Sequence, residues 1–330
     1  MVTSTAQHAL PMILDEVEVV AVERLSPSFV RVQLGGACLA EFGVDGSPLY
    51  DQRIKLVFPG VPGGPPPSFA GVDESWFETW RSRPPEERGH MRTYTVRELR
   101  GEGADTRLVV DIVVHGDDDG QYDGLDGHGD EIGPGCAWAS HAAVGDRVVL
   151  LGPRRGQVYG GIEFAPGPAE RLLLVGDETA VPAICATLEC LPADAEGAAF
   201  LEVPTAADVQ PVQHPEGVSV VWLAREGAAH GSLLLPAVLD HLGVGAEPVV
   251  EPDEVDPDLW ETPTYSSSGE EVAAAAEAVA EADHADLYAW IAGESGLVTG
   301  LRRVLVKDLG VDRRQVAFMG YWRRGVAMAS

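Results

Sequence analysis

Three observations predict an N-terminal antiparallel β-barrel followed by an α/β domain with a mostly parallel sheet. A chain of 330 residues exceeds what one hydrophobic core usually serves. Up to Gly152 it reads as short β-prone runs broken by Gly, Pro and Asp, and from Arg171 as apolar strands alternating with helix-length segments. Gly and Pro gather between 159 and 168, which sets the domains at 14–158 and 169–330.

In the first half the strand candidates are 17–24, 29–34, 54–58, 93–99, 108–114 and 147–151, short and closely spaced as in a small barrel. Residues 60–68 are rich in Pro and Gly and form a loop. Residues 117–132 pack carboxylates, Asp117 to Glu131, into a glycine-rich stretch. They lack the ordered ligand spacing of a calcium loop, so a solvated loop is expected and no metal site. Gly133-Pro134-Gly135 leads into a short helix over 136–143, whose first backbone N–H groups would suit an anion, as would any loop-to-helix start.

In the second half the strand candidates are 172–175, 199–203, 218–223, 287–292 and 316–320, and the helix candidates 180–191, 233–242, 270–281 and 297–308. Residues 243–268 are acidic, carry several prolines and show little periodicity, which marks a surface excursion or a partly disordered segment.

The formal charge of −29 would repel nucleic acid and anionic membrane. No run is long and apolar enough for a membrane span, and the first 14 residues lack the basic start and apolar core of a signal peptide, so a cytoplasmic protein without integral membrane association is expected. Cys38, Cys136, Cys185 and Cys190 show no spacing suited to zinc or an iron–sulfur cluster. Hydrolase motifs such as G-x-S-x-G and H-E-x-x-H are missing.

The stretch with most chemistry is Arg92-Thr93-Tyr94-Thr95-Val96-Arg97. As a strand it puts Arg92, Tyr94 and Val96 on one face and Thr93, Thr95 and Arg97 on the other. Cation, aromatic ring and hydroxyl within four residues suit a flat, phosphorylated cofactor, although an ordinary half-exposed strand shows the same alternation. The hexapeptide resembles the flavin motif of the siderophore-interacting proteins, FAD-dependent ferric-siderophore reductases related to the ferredoxin reductases. Further stretches agree with that family in order: His115-Gly116, 133–139, 176–180, 290–294 and 320–325, so the likeness runs from about residue 14 to the C-terminus.

The resemblance implies an FAD-binding barrel and a Rossmann-like domain for NADH or NADPH. Arg92 would pair with FAD phosphate, Tyr94 would pack on the isoalloxazine and Thr95 would hydrogen-bond near its reactive nitrogen. Val96, Arg97, His115, Gly135, Cys136 and Ala137 would complete the FAD site. The family usually carries Ser where Cys136 stands, so a hydroxyl contact would be lost there, and its His-Gly and Gly-Pro motifs lie closer together than the acidic insert allows here. Gly176, Asp177, Thr179, Gly293, Glu294, Ser295 and Trp322 would border the nicotinamide nucleotide, although Gly176 to Thr179 lacks the G-x-G-x-x-G fingerprint. Glu202, at the end of the second strand of this half, is placed to face the adenosine ribose, which would favour NADH; a solvent-facing Glu explains the position equally well.

By the same resemblance Lys55, with Arg323 and Arg324, would attract a ferric siderophore. The expected reaction is reduction of that chelate by NAD(P)H through FAD. Two readings compete: a flavin-dependent reductase of another acceptor, such as a redox protein or free flavin, and a non-catalytic siderophore-binding protein. Neither the siderophore nor the oligomeric state follows from the sequence.

Overall fold

The computed structural model describes residues 10–114, 133–245, 260–261 and 284–324. The chain divides into two units, one from the start to Arg24 and over Val30–Gly161, the other comprising Leu25–Phe29 and the chain from Ile162. Among the described residues no helix is long and apolar enough to cross a membrane. His115, the acidic stretch 117–132 and the helix expected over 270–281 lie outside the described residues.

The first unit carries β1 (Met12–Ser26), β2 (Phe29–Gly35), β3 (Arg53–Phe58), β4 (His90–Thr95), β5 (Glu98–Arg100), β6 (Arg107–Val113) and β7 (Arg147–Pro153). They form an antiparallel half-barrel in the order β4-β3-β7-β1-β2-β6-β5. Alternation puts every second residue inside, and Val17, Val32, Ile54, Leu56, Val110 and Leu150 are among those that fill the core.

Two features depart from the sequence reading. Residues 59–89 contain α1 (Trp76–Arg81) and α2 (Pro85–Arg88), which the sequence pattern does not announce. Trp80 of α1 belongs, with Phe69, to a second cluster that packs on Val57, Met91 and Val149, so β3 and β7 are buried on both faces there, and its indole N–H donates to the Arg88 carbonyl at the end of α2. The strand expected over 93–99 is also interrupted. β4 ends at Thr95, the Val96 N–H donates to the Gln52 carbonyl and the Arg97 N–H to the Val109 carbonyl. This corner takes the chain from β4, which pairs with β3, to β5, which pairs with β6, and so joins the two edge strands of the sheet.

Arg97 turns with the backbone toward Asp111 on β6, its Nε 3.7 Å from the carboxylate, while Arg31 on β2 holds the same carboxylate through two bonds of 2.7 Å. Asp111 is 3% exposed. One buried anion therefore serves two arginines, one on β2 and one at the corner between β4 and β5.

The second unit carries β8 (Arg171–Gly176), α4 (Val181–Cys190), β9 (Glu196–Val203), β10 (Val218–Ala224), β11 (Trp260–Glu261), β12 (Leu287–Glu294) and β13 (Val316–Trp322). The sheet order is β10-β9-β8-β12-β13-β11, parallel except for β11, which pairs antiparallel with β13. That short strand falls within the segment expected to lack regular structure. Leu173, Val175, Ile291 and Phe318 on one face of the sheet share a core with Leu234 and Val238 of α5 (Leu234–His241) and Leu301 of α6 (Ser295–Arg302). Leu172 and Leu174, pointing the other way, are buried as well, as a parallel sheet covered on both faces requires. α6 continues as a π-helical turn over Arg303–Asp308 in place of the single helix expected over 297–308.

Replacing Asp111 with alanine leaves Arg31 and Arg97 buried side by side without their shared anion. Urea unfolding of the full chain should show a loss of about 3–5 kcal/mol, with Asp111→Asn between the two. A loss below about 1 kcal/mol would show that the arginines simply turn to water.

Candidate functional sites

In the first unit the site is built on the end of β4 and the start of α3 (Pro134–His141). Pairing with β3 sets Arg92 opposite Leu56, Tyr94 opposite Ile54 and Thr95 opposite Arg53. Since Ile54 and Leu56 are core residues, Arg92 and Tyr94 share the core-facing side, and Thr93, Thr95 and Lys55 the other. The Tyr94 ring meets Phe58 edge-on at 5.9 Å, and Phe58 meets Trp138 of α3 at 5.0 Å. The Tyr94 hydroxyl occupies the place where a Cβ on Gly135 would stand, so only glycine lets the helix start approach the ring this closely. Burial, then the neighbouring Cys136, pushes the Tyr94 phenol well above its ordinary value.

Arg92 is half-buried and donates to the Met91 carbonyl at 2.8 Å. Burial lowers its pKa, so an anionic partner would offset that penalty. No side chain caps α3, and Pro134 at its first position has no N–H. The Ala137 N–H closes onto the Gly133 carbonyl. Gly135 and Cys136 therefore supply the first-turn N–H groups, and with Arg92 they form a donor set that fits a phosphate-bearing cofactor such as FAD. Val96 belongs to the barrel core and Arg97 faces Asp111, so neither side chain joins this set in the structure.

Lys55 stands on the outer side of β3, where its Nζ donates to Thr93 Oγ1 at 3.1 Å. Its side chain reaches solvent, yet the surrounding protein desolvates the ammonium and Arg53 repels it, so its pKa lies below the usual lysine value.

In the second unit the strand order reverses between β8 and β12, the switch point where open α/β sheets place their ligands. The turns there are Gly176 to Thr179 and Gly293 to Ser295, and Asp177 joins them. Its Oδ1 accepts from the Thr179 N–H at 2.9 Å and the Thr179 hydroxyl at 2.5 Å. Its Oδ2 accepts from the Glu294 N–H and from the Trp322 indole N–H, both at 2.8 Å. A Cβ on Gly293, whose φ is +141°, would lie 2.6 Å from that oxygen, so glycine is required. Glu294 caps α6 by accepting from the Gly296 and Leu297 N–H groups, and the Ser295 hydroxyl donates to the Trp322 carbonyl. Asp177 is 1% exposed; burial first and Glu178 second push it up to about 6, against the pull of its donors.

Beside it runs a buried ion network that sequence reading missed. Arg225, after β10, grips Glu178 through bonds of 2.7 and 2.8 Å and reaches Glu202 at 3.4 Å. Burial opposes the Arg225 charge, but the Glu178 bond and the nearby carboxylates outweigh it and raise its pKa. His230 lies 3.7 Å from Glu178 and its ring meets Trp322 edge-on at 4.9 Å. Asp177, Glu178 and His230 could each offer a ligand atom within 4.8 Å of the others, but the Glu178 oxygens face Arg225 and those of Asp177 hold four donors. The hint in the sequence is the Asp177-Glu178 pair at one strand end with Arg225 at another.

The reading of Glu202 needs correction. It is 0% exposed, and its carboxylate accepts from the Gly231, Leu233 and Leu234 N–H groups at the start of α5 as well as facing Arg225. It is a helix cap and presents no charge to a ribose, so the preference for NADH loses its basis. Arg323 and Arg324 follow β13, where the Arg324 N–H meets Glu294 Oε1 at 3.4 Å.

Residues 18–157 match the family model described as the siderophore-interacting FAD-binding domain, and residues 169–325 the one described as siderophore-interacting protein. An uncharacterized protein of Mycobacterium tuberculosis is 35% identical over 93% of this chain and 89% of its own length. The ferric vibriobactin reductase ViuB of Vibrio cholerae is 28% identical over 98% of this chain and 93% of its own. The NADPH-dependent ferric-chelate reductase of Escherichia coli is 31% identical over 65% of this chain and 72% of its own. Among solved structures, a siderophore utilization protein from T. fusca superposes with a TM-score of 0.63 at 31% identity, covering 97% of this chain and 96% of that one. The ferredoxin reductase in carbazole 1,9a-dioxygenase, at 18% identity, shares the fold with a TM-score of 0.52 over 94% of this chain and 69% of its own. With both halves matched in order, the chain belongs to the siderophore-interacting protein family.

Proposed function

We propose that this protein is an FAD-dependent NAD(P)H:ferric-siderophore reductase that frees iron for use inside the cell. The observation that carries the reading is the joining, in one chain, of the family's FAD-binding half to an α/β half with a strand-order switch point. The names of two relatives, a ferric vibriobactin reductase and an NADPH-dependent ferric-chelate reductase, point to the same reaction. NADPH is as suitable a donor as NADH, because the carboxylate that would have argued against a 2′-phosphate is buried in a helix cap.

FAD, when bound, takes two electrons from a nicotinamide nucleotide and passes them singly to two ferric ions, with one proton released. The protein's part is binding and placement. Arg92 and the start of α3 would hold the phosphates, Tyr94 would back the flavin ring, and the Thr95 hydroxyl, at the end of β4, would offer it a hydrogen bond. Lys55 would draw in an anionic ferric chelate, and Arg323 and Arg324 are cations of the same kind. Ferrous iron binds hard-oxygen chelators far less tightly than ferric iron, so reduction releases the metal.

Arg92→Ala removes a charge-assisted bond worth about 1.5–3 kcal/mol, so FAD should bind roughly ten- to a hundredfold more weakly in a fluorescence titration. Unchanged FAD retention would remove Arg92 from the site. For Lys55→Ala, the apparent KM for an anionic ferric siderophore should rise, its dependence on salt should flatten, and flavin reduction by NAD(P)H should stay as it was, since a screened attraction governs capture alone. An equal effect on neutral and charged chelates would contradict that role.

A further inference from the structure

We propose that Asp177 is a positioning residue whose carboxylate, by joining the turn after β8 to the ends of β12 and β13, holds Trp322 and the Glu294–Ser295 turn in the arrangement that receives the nicotinamide nucleotide. The inference rests on the function proposed above and assigns Asp177 a role different from bordering the nucleotide. Four donors from three strand ends converge on it, and at 1% exposure its oxygens are turned inward. Trp322 depends on it most. The indole N–H has Asp177 as partner, the Trp322 carbonyl accepts from Ser295, and the ring edge rests against His230.

The same geometry makes the arrangement sensitive to protons. As an anion the carboxylate is acceptor-only and suits four donors; once protonated, a proton on Oδ2 would face the Glu294 and Trp322 N–H groups, which cannot accept, and a proton on Oδ1 would be taken only by reversing the Thr179 hydroxyl bond. The charged groups around it are Glu178 beside it, Arg225 from the end of β10, and Glu294 from the start of α6. Glu202 and His230 act on it through the Arg225 and Glu178 contacts. Burial and Glu178 hold its titration at about 6, so the full set of bonds is present above that pH and is lost as pH falls through it.

The test uses the FAD-loaded full chain, mixed without oxygen with NADPH and, separately, NADH, following flavin absorbance from pH 5 to 8. In the wild type the apparent KM for the nucleotide should rise on the acid side with a midpoint near 6. Asp177→Asn should raise that KM roughly tenfold or more at neutral pH, change the maximal rate less, keep its FAD content and erase the acid limb. Trp322→Phe, which removes the indole donor and shortens the ring but leaves the carboxylate with its other three donors, should raise KM while keeping the limb, and it serves if the Asn variant does not fold. Variants matching the wild type in KM and pH profile, or losing rate only in proportion to lost FAD, would overturn the role of Asp177 alone. A wild type whose flavin neither nucleotide reduces would overturn the proposed function, and this role with it.

Discussion

Much of the carboxyl edge of the parallel sheet depends on how one buried carboxylate is bonded. Parallel strands end without the hairpins that fix an antiparallel sheet, so their C-terminal turns need another tie. Asp177 supplies it for β8, β12 and β13. Glu178, Arg225 and Glu202 continue the tie to β10, β9 and the start of α5. The arrangement is electrostatically demanding, since Glu178 and Glu202 share one guanidinium and Asp177 lies buried beside them without an ion pair, and it persists because neutral N–H and O–H donors satisfy the remaining carboxylate oxygens. A switch point held in this way is preorganised, which suits the proposed role of placing a cofactor whose own chemistry carries the reaction.

The half-barrel uses the same economy of charge. Asp111 serves two arginines at the corner that carries the chain from β4 to β5, while Gly135 lets α3 start against Tyr94. Two residues of the hexapeptide, Arg92 and Tyr94, are thereby set beside a helix N-terminus. The other two charged or apolar members, Arg97 and Val96, hold the corner in shape. One motif thus divides between the side that faces the start of α3 and the corner that shapes the fold, and alternation along the strand cannot show the division because the strand stops in the middle of it.

The architecture was legible because period and punctuation carry it. Short β runs gave the barrel strands, and apolar strands alternating with helix-length segments gave the parallel sheet. α1 and α2 were not legible, being six and four residues long, with α1 fixed by Trp80 packing on a strand face and α2 tied to that indole through the Arg88 carbonyl. Glu202 misled because a strand end that suits a ribose contact also suits a helix cap, and only its zero exposure and three N–H donors tell these apart. Asp177 was legible as a member of the site but not as its tie, since the Trp322 donor lies 145 residues away.

The most direct measurement of the reductase claim is an electron count. FAD-loaded protein is mixed without oxygen with a limiting amount of NADPH and an excess of ferric siderophore, and Fe(II) is trapped by a ferrous-specific chelator. The account predicts about two Fe(II) per NADPH consumed, and none when FAD has been removed. Consumption of NADPH with no Fe(II), or Fe(II) formed equally well without FAD, would contradict it.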